Sequence, residues 1–182
     1  MISMDLKQLI KKCIKGERSA QKEMYQHYSP VLYAIIKRYL KSEFDAEDVL
    51  IETFMKIYNN LSKFRDEGSF EGWIKKIAIR ESLMFLRRNK VFQMLIEVDN
   101  LLIPQKITYQ DEELEYQDIL DVLKLLPVGY RTVFNLYEIE GYKHKEIAAQ
   151  MGISTNTSKS QLRLAKQRLR KLIKEQNRTN TA

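Results

Sequence analysis

Only six glycines and three prolines punctuate a chain of 182 residues, too few turn formers for a many-stranded sandwich, a barrel or a glycine-rich dinucleotide fold. What lies between them is spaced by threes and fours. Leu6, Leu9, Ile10, Cys13 and Ile14 near the start, and Leu162, Ala165, Leu169 and Leu172 near the end, repeat at helical intervals. The expected fold is all-α, in two small helical domains joined by a flexible linker.

With 44% hydrophobic and 30% charged residues the chain can bury a core and is not a disordered tail. Its longest apolar run, residues 31–36, falls far short of the roughly 20 residues of a membrane span. Lys7, Lys11 and Lys12 break any signal-peptide core, so a cytoplasmic protein with no direct membrane insertion is expected. The single cysteine, Cys13, excludes an internal disulfide, and His27 and His144 stand too far apart for a zinc spacing. No metal, no cofactor and no catalytic residue is expected, and the chain does not read as an enzyme.

The net charge of +7 hides a pattern along the chain. Residues 1–96 carry 18 basic and 12 acidic groups, residues 97–126 carry 2 and 8, and residues 127–182 carry 11 and 4. Two basic blocks flank an acidic one. A surplus on two separate modules points to a polyanion touched at two places.

Turn and cap signals divide the chain further. Gly16 closes the first helix, Ser19 starts a second, and Ser29 with Pro30 reads as the cap and first position of a third carrying Val31, Leu32, Ile35, Ile36, Tyr39 and Leu40. Asp45 reads as the cap of a fourth helix running to about Leu61. Ser69 opens a fifth, to about Asn89, after the polar loop SKFRDEG. Residues 90–112 lack a sustained period and contain Pro104, so a joint is placed at 93–112 between a domain over 1–92 and a second over 113–177, with a tail at 178–182. In the second domain a helix from about Asp111 to Leu126 breaks at Pro127, another ends at Gly141, and two more are split by Gly152.

That last pair has helix-turn-helix grammar. Ala148 allows a close crossing, Gly152 supplies the positive φ of a tight turn, and Ser154 can cap the second helix. On the second helix Lys159, Arg163, Lys166 and Arg170 line one outer face, with Asn156 and Ser160 beside them. Short polar residues at the helix start suit base edges in a major groove, and longer cations beyond them suit phosphates.

On the helix from Asp45, residues Ala46, Leu50, Phe54, Ile57 and Leu61 point inward, and Asp45, Asp48, Glu52 and Lys56 project from the opposite side. The first two acids also complement the helix dipole, whereas Glu52 lies beyond its reach. The helix after Ser69 keeps Ile74, Ile77, Ala78 and Phe85 inside and sets Lys76, Arg80 and Arg87 in a row with Trp73 at its border. Charge for phosphates beside an aromatic face for unstacked bases suits a single-stranded nucleic acid. The loop from Lys63 to Gly68, with Phe64 and Arg65, could form a pocket for a flipped base.

DAEDVLIETFMKIYNNLSKFRDEGSFEGWIKKIAIRESLMFLRRNK resembles region 2 of the bacterial extracytoplasmic-function sigma factors of the sigma-70 family. LPVGYRTVFNLYEIEGYKHKEIAAQMGISTNTSKSQLRLAKQRLRKL resembles their region 4. The resemblance implies a sigma factor that binds core RNA polymerase and promoter DNA, and a partnership with an anti-sigma factor. It implies that Asp45, Asp48, Glu52, Phe54 and Lys56 dock on the polymerase, and that the linker threads toward the RNA exit path. Lys63, Phe64, Arg65, Asp66, Phe70, Trp73, Lys76 and Arg80 would face the −10 element. Thr155, Asn156, Thr157, Lys159, Ser160, Arg163 and Lys166 would face the −35 element. The family usually has valine where this chain has Ser158, whose inward hydroxyl is expected to bond the carbonyl one turn back. The alternatives are a stand-alone helix-turn-helix regulator binding palindromes as a dimer and a recombinase-like enzyme, for which no clustered nucleophile or metal-ligand set is visible.

Overall fold

The computed structural model describes residues 6–65, 67–89 and 122–179, with side chains as far as residue 172. Among these residues all regular structure is helical, and no helix is long and apolar enough to cross a membrane. The chain forms two compact units that divide between Phe85 and Leu86. The expected linker at 93–112, the start of the helix expected from Asp111, and residues 180–182 of the tail lie outside the described residues.

The first unit contains α1 (Leu6–Ile14), α2 (Arg18–Tyr39), α3 (Glu43–Asn60), a short 3-10 turn at Leu61–Lys63, and most of α4 (Phe70–Arg88). Gly16, at φ +79°, lets the chain leave α1 in the left-handed conformation. Leu9, Ile10 and Cys13 of α1, Met24, Leu32 and Ile36 of α2, and Ala46, Val49 and Ile57 of α3 are buried, as are Ile74, Ala78, Ile79 and Leu83 of α4. Each large aliphatic side chain so buried is worth about 1.5–3 kcal/mol of transfer free energy. The Tyr58 hydroxyl donates to the Gln21 carbonyl at 2.8 Å, joining α3 to α2. Burial pushes the Cys13 thiol up to about 11 and the Tyr58 phenol up to about 12, so both stay protonated at neutral pH.

Three sequence expectations are corrected here. The helices expected to meet at Ser29 and Pro30 are one continuous α2 with Pro30 inside it. Proline offers no N–H to the carbonyl four residues back, at a cost of about 3 kcal/mol. Met24 before it and Leu32 and Ile36 after it all enter the same core, so burial on both sides holds the helix through the break. The cap of α3 is Ser42 rather than Asp45: the Asp45 N–H donates to Ser42 Oγ at 3.2 Å, which moves the helix start to Glu43. On α4, Ile77 and Phe85 are only half-buried, and Ile79 and Leu83 occupy the interior instead.

The second unit has a helical turn at 122–124, then α5 (Val128–Phe134), a π turn at Asn135–Ile139, α6 (His144–Met151) and α7 (Thr155–Thr179). Its core joins Leu123, Leu126 and Tyr130 to Ala165, with Phe134, Leu164 and Leu169 packed around them. At Gly129 a Cβ would stand 3.2 Å from the Gln161 side-chain amide, a tight approach that α7 would meet by shifting that side chain by a few tenths of an ångström. The interior also holds Arg131, whose Nη1 donates to the Lys124 carbonyl at 3.4 Å and whose guanidinium is pushed down to about 10 by burial. At the head of α6 the Lys143 N–H donates to the Glu146 carboxylate at 2.7 Å.

Candidate nucleic-acid interface

On α3, Asp48 and Lys56 are exposed and Asp45 and Glu52 half-buried, as a solvent-facing polar side requires. Phe54 is not on that side. It is 3% exposed, with its ring 4.6 Å from Tyr25 and 5.9 Å from Tyr58, because it continues the inward series Ala46, Leu50, Phe54. Beside the acids stands a feature the sequence reading missed: Phe44, Ile51 and Met55 are 72%, 57% and 58% exposed. Together with Asp48 they fall at intervals of four, three and four, one stripe along the helix. The signal was available as apolar residues out of phase with the inward face. Along one edge of this stripe runs a groove of ≈ 410 Å³ lined by Tyr25, Ser29, Pro30, Tyr33, Glu47, Leu50 and Ile51.

The turn after α3 and the start of α4 carry an aromatic cluster. The Phe64 ring lies 5.2 Å from Phe70 and 5.5 Å from Trp73, and Phe70 lies 5.5 Å from Tyr28. Phe70 is 3% exposed, so it is the base of the cluster and not a contact surface; Phe64 and Trp73, packed against it, are half-buried. Gly68, at φ +116°, turns the chain into α4, which Ser69 caps by accepting from the Gly72 N–H at 3.3 Å. Lys63, Arg65, Lys76 and Arg80 are exposed around the aromatics. Lys63 Nζ bonds Asn60 at 2.8 Å. Lys75 pairs with Glu71 and holds that carboxyl below its ordinary range, so the neighbouring Lys76 and Arg80 carry the outward charge. Asp66 lies outside the described residues.

In the second unit the turn is built as its sequence requires. Gly152 takes φ +68°, and Ser154 Oγ accepts from the Thr157 N–H at 2.9 Å. Thr155, Asn156, Lys159, Ser160 and Arg163 are exposed on α7. Thr157 is half-buried and its hydroxyl lies 2.8 Å from that of Ser154, so it belongs to the cap. The Ser160 hydroxyl donates to the Thr157 carbonyl at 2.9 Å. Lys166, read as one of the outward cations, pairs with Glu138 of the π turn at 2.7 Å.

Ser158 is wholly buried, as expected, but its partner is not the carbonyl one turn back: its Oγ lies 2.9 Å from His144 Nδ1. A neighbouring helix supplies the hydroxyl's partner, while the Ser154 carbonyl accepts the Ser158 N–H at 3.0 Å. The His144 ring stacks on Tyr137, with centroids 4.5 Å apart and planes at 22°. Burial, and then the charge of Lys159, lowers the imidazole's proton affinity and so favours its neutral form.

The sigma-70 region 2 family profile matches residues 24–91 and the sigma-70 region 4 profile matches residues 116–169. The chain is 28% identical over 154 residues to the ECF RNA polymerase sigma factor SigE of Mycolicibacterium smegmatis, covering 81% of this chain and 59% of that protein. It is 29% identical over 153 residues to the ECF sigma factor SigM of Bacillus subtilis, covering 82% and 93%. The chain belongs to the extracytoplasmic-function sigma factors of the sigma-70 family. Two matched regions in that order set this sigma factor, which directs promoter-specific initiation of transcription, apart from a stand-alone helix-turn-helix regulator. Its fold is similar to that of the Bartonella quintana sigma factor RpoE solved with the anti-sigma factor NepR, at a TM-score of 0.52 and 24% identity over 84% of this chain and 96% of that one.

Proposed function

We propose that this sigma factor bridges core RNA polymerase and a promoter through three surfaces, in modules spanning 1–92 and 113–177. The exposed stripe of Phe44, Asp48, Ile51 and Met55 on α3, flanked by Asp45, Glu52 and Lys56, docks on the polymerase. Lys63, Phe64, Arg65, Trp73, Lys76 and Arg80 take the melted −10 strand, with Phe70 supporting the rings from below. Thr155, Asn156, Lys159, Ser160 and Arg163 read the −35 duplex, with Thr157 shaping the turn and Lys166 contributing charge near phosphates.

The observation that carries this reading is the α3 stripe, where Phe44, Ile51 and Met55 stand exposed beside Asp48. Apolar side chains left this exposed on a compact domain serve a partner. Unstacking a base costs a few kcal/mol, which stacking on an aromatic at about 1–3 kcal/mol per base offsets only in part. The balance comes from polymerase contacts, and this is why the stripe and the DNA faces belong to one mechanism. The chain catalyses no step itself and acts in the cytoplasm. An anti-sigma factor, the class of partner seen with the Bartonella relative, regulates it.

Run-off transcription with core polymerase and a promoter library is the test. Wild-type protein is expected to give discrete transcripts, and an Ile51→Glu/Met55→Glu variant to lose polymerase co-purification while keeping its helical circular dichroism. Full polymerase binding by that variant would remove the stripe from the mechanism. Silence of the wild type on every template would remove the mechanism itself.

A further inference from the structure

Ser158 stands on the buried side of α7, between the exposed Asn156 and Lys159. Two buried hydroxyls of the first unit, those of Thr53 and Ser82, donate to carbonyls four residues back on their own helices, at 2.7 and 2.9 Å, and so join no second element. Ser158 instead meets a residue fourteen positions away, at the head of a different helix. The imidazole it meets is held in turn by the stack on Tyr137, which the π turn carries.

We infer that His144 is a positioning residue for upstream-element readout, fixing the rotation of the first turns of α7 through Ser158. The inference rests on the reading of α7 as the helix that faces duplex DNA. An apolar contact at position 158 would be non-directional, so α7 could roll against α6 at little cost. A hydrogen bond weakens steeply as its angle degrades, so the pair of His144 and Ser158 defines one setting. The Ser154 cap cannot do this, because it acts within the turn, and the apolar contacts of Leu162 and Ala165 begin a full turn later. Side chains that read base edges must be held to within about 0.5 Å, which is the scale at which such a roll matters. The bond forms with either imidazole tautomer, since a serine hydroxyl both donates and accepts.

The test uses full-length protein with core polymerase and two promoters differing by one base pair in the upstream element, with His144→Ala, His144→Asn and Ser158→Val. Wild type is expected to prefer its own element, and His144→Ala to lower that preference about tenfold by stranding a buried hydroxyl. His144→Asn, whose amide ends near the position of Nδ1, should restore most of the preference. If His144→Ala fails to fold, Ser158→Val carries the test, because it removes the same bond while filling the space. In the free protein the His144 ring nitrogen resonances should shift in Ser158→Val; unshifted resonances, or an unchanged preference in both variants, would overturn the inference. A loss that tracks melting temperature and that asparagine does not restore would also overturn it. Absence of any upstream protection by wild-type holoenzyme would instead show that the reading of α7 had failed.

Discussion

The two units treat buried polar groups differently. In the first, Thr53 and Ser82 bond within their own helices and the core of α1 to α4 is aliphatic and aromatic, with the half-buried Tyr58 hydroxyl reaching the Gln21 carbonyl from α3 to α2. In the second, the buried Arg131 reaches the Lys124 carbonyl and the buried Ser158 reaches His144, so neighbouring elements are joined by directional contacts, to which the partly exposed pair of Lys166 and Glu138 adds. Burial stabilises without specifying orientation, whereas hydrogen bonds contribute little net energy but select a geometry. On the proposed function, a unit that reads duplex DNA by the placement of short side chains has more need of the second kind of contact, and a unit that offers aromatic rings and cations to a pliable strand can rely on the first.

The sharpest way to break this contrast is at Arg131. Arg131→Ala is expected to cost the second unit about 2–4 kcal/mol in urea unfolding, by opening a cavity and removing the donor to Lys124. Arg131→Met, which keeps the volume, should lose much less if packing dominates, and as much if the directed contact dominates. A pair of substitutions then separates the two DNA faces. Trp73→Ala should weaken strand opening by about 1–3 kcal/mol, read by permanganate reactivity, with the upstream footprint intact. Arg163→Ala should do the reverse, costing about 1–3 kcal/mol at the upstream element if it grips a base edge. The smallest effect is expected at Glu138. Its pair with Lys166 is partly exposed and worth about 0–1 kcal/mol, so Glu138→Gln should leave stability almost unchanged. It should steepen the salt dependence of DNA binding by up to about one phosphate's worth as Lys166 is released.

Helical class, the two units and the helix-turn-helix turn were legible in the sequence because each has a local cause. Gly16 and Gly152 take the left-handed φ that only glycine adopts without strain, and Ser154 and Ser69 cap as short oxygen-bearing residues do. The cationic side chains Lys76, Arg80, Lys159 and Arg163 emerge exposed because charge resists burial. Errors arose where two elements compete for one residue. Pro30 carries a local helix-start signal, yet the core contacts on either side of it override that signal. The spacing already placed Phe54 inward, against its assignment to the docking face, whereas for Phe70 only the rings around it show that it faces inward.

What the sequence determined by itself was periodicity, caps and the sign of charge along the chain, since these depend on neighbours within a few residues. Which aromatics became surface and which became foundation, that Phe44, Ile51 and Met55 remained uncovered, and that Ser158 found His144 were decided by tertiary structure. Helical periodicity says which side chains share a face, but not what stands opposite that face. That is settled only when distant elements pack and each buried polar atom must find a partner within about 3 Å.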